Sequence, residues 1–313
     1  MPDVFKWGII GTGMIANKFS KAVINTPGAE LGAVASRNVE KAEEFAKKYS
    51  IPKTYGSYEQ IAKDPELDAI YIAVPNPFHY ENIMLCLENK KPVLCEKPFT
   101  LNAKQAKDAI DYARKNNVFL MEALWTRFLP IYKTVGEWIK NGEIGEIRVL
   151  KTDFGFYVPW PKEDRHVNPA LGGGGLLDVG VYNIAFAQWV FKQEPQRITS
   201  MAHIGETGVD EQASIIFAYD KGQLAVMTCS LLADMPNDAW IYGSKGMIYL
   251  KDYWRGTTAV LKRKGQLSDE TIYCPFENGF EYEIMEVMNC IREGKTESPL
   301  RTLDETLATI EVM

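Results

Sequence analysis

Residues 4–16, VFKWGIIGTGMIA, decide how the rest of the chain reads. A short apolar run, Val4–Ile10, stops at Gly11-Thr12-Gly13-Met14-Ile15-Ala16, and helical spacing begins at Met14. That order is a buried strand, a tight turn and a helix, with the spacing G-x-G-x-x-A. Glycines in such a turn let backbone approach a pyrophosphate seated at the helix N-terminus. A merely tight strand-to-helix turn is the alternative; the strand before, the helix after and the similar units beyond favour the phosphate reading. Gly11, Thr12, Gly13, Met14 and Ile15 are therefore candidate cofactor contacts. Trp7–Ala16 is apolar enough to imitate a secretory leader, but Asp3 precedes it and glycines interrupt it, so a cytoplasmic protein is expected.

Beyond the turn, strand and helix signals alternate. Apolar runs at Leu31–Ser36, Ala69–Val74, Pro92–Cys95 and Val118–Glu122 are separated by amphipathic stretches at Val39–Tyr49, His79–Asn89 and Asn102–Asn116, with another helix marked by Ile61. Such alternation predicts a parallel sheet covered on both faces, an N-terminal Rossmann domain over residues 1–124 of an α/β protein. After Leu124 the rhythm changes: a helix over 126–141, a strand over 147–157, a helix over 176–191, then strand patterns from 197 to 274 and two closing helices. Residues 125–313 read as a C-terminal α+β domain for substrate binding and oligomerisation, with an open, mostly antiparallel sheet. The final DETLATIEVM is helical without a stop signal, which reads as a helix cut short.

Composition excludes several classes. The 313 residues are 46% hydrophobic and carry a net charge of −6, which argues against nucleic acid or an anionic membrane surface as partner. No run is expected to reach the ~20 apolar residues a bilayer needs. Residues 1–124 hold 16 basic and 15 acidic side chains and residues 125–313 hold 19 and 26, so the first part is the better host for an anionic cofactor. Five cysteines without C-x-x-C, and three histidines (His79, His166, His203) without a ligand-spaced partner, point to no disulfide framework and no metal.

The end of the second strand discriminates between cofactors. An NAD site places Asp or Glu there for the ribose hydroxyls; this chain has Ser36-Arg37-Asn38, and its first acid is Glu40. A hydroxyl and a guanidinium fit a 2′-phosphate that a carboxylate would repel. NADP(H) is expected, contacted by Ser36, Arg37 and Lys41, with NAD the alternative if Arg37 is an ordinary solvated turn residue. Two more loops leave strand C-termini, where open α/β sheets bind ligands: Pro75-Asn76-Pro77-Phe78-His79 and Glu96-Lys97-Pro98.

GTGMIA, AVPNPFHYENI and CEKPFTLN at these spacings resemble the glucose–fructose oxidoreductase and inositol dehydrogenase family. EALWTRFLP (122–130) and GGGGLLDVGVYNI (172–184) are similar to its dimeric dihydrodiol dehydrogenase and NADP-dependent D-xylose 1-dehydrogenase branch. The resemblance, which covers nearly the whole chain, implies a catalytic lysine at Lys97, with Glu96 near the nicotinamide ribose and a Lys97–Pro98 bond that is often cis. It implies that His79 shapes the cofactor site. Asp178 and Tyr182 match the family's D-x-G-x-[H/Y] helix, and Tyr182 in place of the commoner histidine points to the dihydrodiol-type branch. It also implies a homodimer packed through the second sheet.

The residue chemistry agrees. Asp178 and Tyr182, four apart on a helix, share a face. A free phenol titrates near pH ~10, too high for proton transfer at neutral pH; a Lys97 ammonium beside it would bring it down. The bland readings are a solvated loop lysine and a core tyrosine. A short-chain dehydrogenase would need Tyr-x-x-x-Lys on a helix, and the pair Tyr49–Lys53 is broken by Pro52. Trp125 and Arg127 either wall the substrate, or Trp125 packs the domain junction and Arg127 pairs with an acid; Phe154, on the next strand, is a further substrate candidate. Arg165 and His166 either touch a ligand or lie exposed. The run Gly172–Gly175 either lets a loop approach the ligand or is a flexible linker. The expected function is hydride transfer between nicotinamide and a hydroxyl or carbonyl carbon of a sugar or cyclic trans-diol, in a cleft between the domains. The rivals are a nucleotide-binding redox sensor without turnover and a non-net-redox enzyme with retained cofactor.

Overall fold

A computed structural model of the chain describes residues 4–157, 159 and 161–313. The chain divides into two compact units, one running to Trp125 and adding Asn278–Glu311, the other spanning Thr126–Glu277 with the last two residues.

In the first unit the strands β1 (Phe5–Ile10), β2 (Ala29–Ala35), β3 (Lys53–Tyr55), β4 (Ala69–Ile72), β5 (Val93–Glu96) and β6 (Leu120–Ala123) form one sheet in the order β3-β2-β1-β4-β5-β6. Every pairing is parallel. The connecting helices are α1 (Met14–Asn25), α2 (Val39–Tyr49), α3 (Tyr58–Ala62), α4 (His79–Glu88) and α5 (Ala103–Asn116). The central strands are buried on both faces, which is why they read as unbroken apolar runs: Trp7, Ile9, Ile10 and Ile70–Ile72 are inaccessible to solvent. Strand order reverses between β1 and β4, so Gly11 and Ala73 stand at the switch point where open sheets bind ligands. The edge strand β3 has three half-buried residues and no apolar run to announce it.

The sequence reading assigns everything after Leu124 to the second domain. The chain instead returns α8 (Glu281–Arg292) and α9 (Leu303–Val312) to the first unit. A buried ion pair accounts for this: Arg301 donates from Nη2 and Nε to Glu122 Oε2 at 2.8 and 3.1 Å, and from Nη2 to Thr309 Oγ1 at 2.8 Å. Thr306 adds a hydroxyl to the same carboxylate at 3.0 Å. Neither charge can be buried in β6 or before α9 without the other.

The second unit holds α6 (Pro130–Lys140), β7 (Ile147–Gly155), α7 (Val181–Phe191) and strands β8 (Arg197–Ile204), β9 (Asp210–Ala218), β10 (Leu224–Ser230), β11 (Ala239–Gly243), β12 (Gly246–Lys251), β13 (Thr258–Arg263) and β14 (Glu270–Tyr273). The sheet order is β14-β13-β12-β11-β7-β10-β9-β8. Pairing is antiparallel except between β7 and β10. Alternate residues such as Ala213, Ile215, Phe217, Ala225, Met227, Ile241 and Leu261 make the buried face, on which α7 lies. Two predicted helices are modified. The segment over 126–141 is a 3-10 turn, Trp125–Phe128, then α6 with Pro130 in its first turn. The segment over 176–191 opens with a π turn, Leu176–Gly180, before α7. The helical stretch Pro169–Phe191, against expectation, is long and apolar enough to cross a bilayer; 72% of its most apolar window is buried inside the unit, as in a core helix.

Candidate functional site

The turn after β1 uses its two glycines differently. Gly11 has φ +105°, and a Cβ there would lie 2.6 Å from the Ala73 carbonyl oxygen, so the closeness of β1 and β4 demands glycine. At Gly13 an added Cβ would meet nothing within 4 Å. The protein's own packing leaves that position open, beside the first turn of α1. That turn has no side-chain cap and no acidic residue. By contrast Asn38, Ser57 and Asn102 accept N–H bonds to cap α2, α3 and α5. Uncapped N–H groups at the positive end of a helix dipole, next to open space, fit a dinucleotide pyrophosphate. Thr12 and Ile15 are half-buried there, and Met14 is exposed.

At the end of β2, Ser36 Oγ accepts the Asn38 N–H at 3.3 Å. Arg37 is exposed, yet braced: its guanidinium stands 5.2 Å over the Phe78 ring and hydrogen-bonds Tyr58, whose hydroxyl burial pushes above its ordinary pKa against that guanidinium. Lys41 is exposed, its backbone N–H donated to Asn38 Oδ1 at 2.8 Å.

The loops after β4 and β5 are tied together by His79. Its Nδ1 lies 2.9 Å from the Pro98 carbonyl oxygen and its Nε2 2.9 Å from that of Val74. Burial pushes this imidazole below its ordinary pKa, against the pull of the backbone carbonyls. Pro75 is exposed and Asn76 half-buried in the loop His79 anchors. Glu96 is buried at the end of β5; the Tyr71 hydroxyl donates to its Oε1 and the Lys97 N–H to its Oε2 at 3.1 Å. Lys97 is half-buried, and the Lys97–Pro98 bond is cis. Trp125, also in this unit, packs at 5.3 Å on Phe280, with the Lys18 ammonium 3.9 Å from its ring centroid.

In the second unit Tyr182 begins α7 and is 7% exposed. Its ring centroid lies 5.3 Å from that of Phe154 and 6.3 Å from that of Trp254, and Phe154 stacks on Trp254 at 4.9 Å. Asp178 sits on the π turn, so the simple i,i+4 stacking expected of an α-helix does not describe its relation to Tyr182. Arg165 Nη1 donates to Asp178 Oδ1 at 3.1 Å, and His166 Nε2 lies 3.7 Å from Oδ2. His166 Nδ1 lies 2.6 Å from Asp164 Oδ1. Arg127, taken above as substrate wall or ion-pair partner, stands 5.3 Å over the Trp189 ring within the unit.

The glycine run before this helix is a packed corner rather than a linker. Gly174 has φ +133°, and a Cβ there would lie 2.5 Å from Asp210 Oδ1. Asp210 Oδ2 accepts the Leu176 N–H at 2.6 Å and so caps the helical segment that carries Asp178 and Tyr182. Sequence reasoning had no signal for Asp210, which lies 34 residues from its partner at the start of a strand. Tyr71, hidden in an apolar run, was equally silent, as was Tyr58 in the helix marked by Ile61.

Comparison with known proteins agrees with both halves. Residues 5–124 match the oxidoreductase family with an NAD-binding Rossmann fold, and residues 132–249 match the GFO/IDH/MocA C-terminal domain. The trans-1,2-dihydrobenzene-1,2-diol dehydrogenase of Xenopus tropicalis is 39% identical over 98% of this chain and 96% of its own length. The Homo sapiens enzyme of that name is 37% identical over 98% and 94%. Among solved structures, a 3-ketoreductase from Actinomadura kijaniata in complex with NADP and TDP-benzene superposes with a TM-score of 0.88 at 25% identity, covering 99% of this chain and 96% of that one. An aldose-aldose oxidoreductase from Caulobacter crescentus shares the fold with a TM-score of 0.90 at 21% identity, covering 98% and 95%. With a nucleotide turn of this build and both of the family's domains in order, the chain belongs to the GFO/IDH/MocA oxidoreductases.

Proposed function

We propose that this oxidoreductase uses NADP(H) to interconvert a hydroxyl and a carbonyl on a cyclic trans-diol or a sugar, with Tyr182 as the proton-exchanging group and Lys97 as a catalytic lysine. The observation that carries the reading is the setting of Tyr182: a phenol at the head of an apolar helix, flanked by Phe154 and Trp254. Aromatic faces beside a single proton-exchanging hydroxyl suit the C–H surface of a ring whose hydroxyl is to be oxidised. The nearly full-length relatives named for a diol dehydrogenase support the substrate class.

The cofactor, when bound, accepts or gives the hydride. The chain does the rest. The first turn of α1 holds the pyrophosphate. Ser36 and Arg37 receive a 2′-phosphate, with Lys41 adding charge. Asn76 and Glu96 line the ribose and nicotinamide side, and His79 fixes the loops that carry them. Tyr182 takes the proton from the substrate hydroxyl in oxidation and returns it in reduction. Asp178 orients this end of the helix, and Arg127 and Phe154 are on the substrate side.

The exposed face of the second sheet carries Ile216, Val226, Trp240, Tyr242, Tyr249 and Val260, an apolar and aromatic stripe that a second copy of the chain would cover. Sedimentation should therefore give a dimer.

The test is NADPH absorbance with a panel of trans-diols and aldoses. Tyr182→Phe and Lys97→Met should each lose about 10²–10⁴ in turnover with cofactor affinity retained. Turnover at the original rate in either variant refutes the role. Arg37→Ala should erase the preference for NADP over NAD, and an unchanged preference overturns the 2′-phosphate reading.

A further inference from the structure

A second buried carboxyl, within electrostatic reach of Glu96, is one that the mechanism does not use. Glu283, in the first turn of α8, is inaccessible to solvent, and neither of its oxygens has a hydrogen-bond partner among the described residues. A carboxylate so placed would carry its charge into the interior without a single donor, at a cost of several kcal/mol. The ionisable groups around it are Glu96 on β5, Tyr71 on β4 and Lys18 on α1. The donors go to Glu96: the Tyr71 hydroxyl to one oxygen and the Lys97 N–H to the other. Lys18 Nζ lies 3.9 and 4.1 Å from the ring centroids of Trp125 and Phe280.

Two carboxyls in one buried site resist ionising together, and the one supplied with donors becomes the anion. We infer that Glu96 and Glu283 form a pair carrying one negative charge, with the anion on Glu96 beside Lys97 and the proton on Glu283, which makes Glu283 a positioning residue for the charge at Lys97. The electrostatics run the same way. Burial, then the charge of Glu96, push Glu283 well above the ordinary carboxylate range, against Lys18. Burial also raises Glu96, but Tyr71, Lys97 and Lys18 draw it back. When Glu283 loses its proton, a second negative charge appears in the site that Glu96 shares with the Lys97 backbone.

Infrared spectroscopy of the whole protein with carbon-13-labelled glutamate reads the pair directly. The wild-type protein at neutral pH should show the carbonyl band of a protonated glutamic acid, and Glu283→Gln should lose it. In Glu96→Gln the same band should titrate away at lower pH, because the competing charge is gone. Absence of the band in the wild type, or an unchanged titration in Glu96→Gln, overturns the pair whether or not Glu283→Gln folds. The kinetic arm rests on the role proposed for Lys97. The alkaline limb of kcat/KM should move to lower pH in Glu283→Gln, whereas a merely structural glutamate would depress kcat/KM equally at every pH. An unmoved limb overturns the positioning role. Retained turnover in Lys97→Met would instead strike the proposed mechanism and leave the infrared result standing.

Discussion

The chain has two glycine-rich turns, each before a helix, and they are built for different reasons. At Gly11–Gly13 one glycine is demanded by the sheet and the other faces nothing within 4 Å of where its Cβ would be. At Gly172–Gly175 the glycines are packed: Gly173 sits against backbone atoms of residues 165–168 and Gly174 against Asp210. The first turn leaves room, and the second removes it. A similar composition thus leaves open space in one unit and makes a rigid corner in the other. Substitutions that ask each glycine what its missing side chain would hit separate the two cases.

Gly11→Ala should do the most damage. The residue would be held at φ +105° with its Cβ 2.6 Å from a backbone oxygen of β4's extension, which a side-chain rotation cannot relieve. A loss of about 2–5 kcal/mol is expected from backbone strain and overpacking together, read by urea unfolding. Wild-type stability would mean that β1 and β4 are not held this closely at their C-terminal ends.

Gly174→Ala should cost less, about 1–3 kcal/mol. The atom it meets is a side-chain oxygen of Asp210, which can rotate away but must then release the Leu176 N–H at 2.6 Å. If the corner is what positions Tyr182, kcat should fall with cofactor affinity unchanged. A linker would tolerate alanine with neither effect.

These contrasts show what a sequence can disclose. The first unit was legible because its strands are buried on both faces and its turns obey local rules: the residues of Ala69–Ile72 and of Gly11–Ala16 suffice. Where pairing is set at a distance, legibility ends. Arg301 and Glu122 stand 179 residues apart, and contacts at such distances, not any local pattern, place the last two helices with the first unit. In the second unit the strand patterns over 147–157 and 197–274 did not disclose that β7 and β10 run parallel. The mostly apolar stretch through Leu176–Phe191 hid the π turn, since a segment buried on nearly all sides has little periodicity to lose.

Each turn also has a histidine bracing a loop nearby, and only the first is fully buried. His79 has its pKa lowered by burial from 6.5, so the folded chain binds fewer protons there than the unfolded one. Stability from this group is fully present above about pH 6.5 and is lost as pH falls toward the depressed value, with a slope of at most about 1.4 kcal/mol per pH unit. Denaturant midpoints between pH 7 and pH 5 should fall in the wild type and flatten in His79→Asn. Equal slopes would place the acid sensitivity elsewhere.

The smallest effect on stability is the most informative. Gly13 has φ −75° and ψ −173°, a conformation any residue adopts, and its Cβ position is open. Gly13→Ala should therefore leave unfolding within about 0.5 kcal/mol of wild type, or stabilise it slightly by restricting the unfolded chain. If the openness exists for a pyrophosphate, the added methyl group occupies the approach, and NADP affinity should fall by about tenfold or more, equivalent to ~1.4 kcal/mol or more. Gly11→Ala cannot make this distinction, because a chain that unfolds also fails to bind. In Gly13→Ala the two readouts come apart only if something other than the protein needs the space. Stability and affinity both unchanged would show that the turn is tight for the sake of the fold alone.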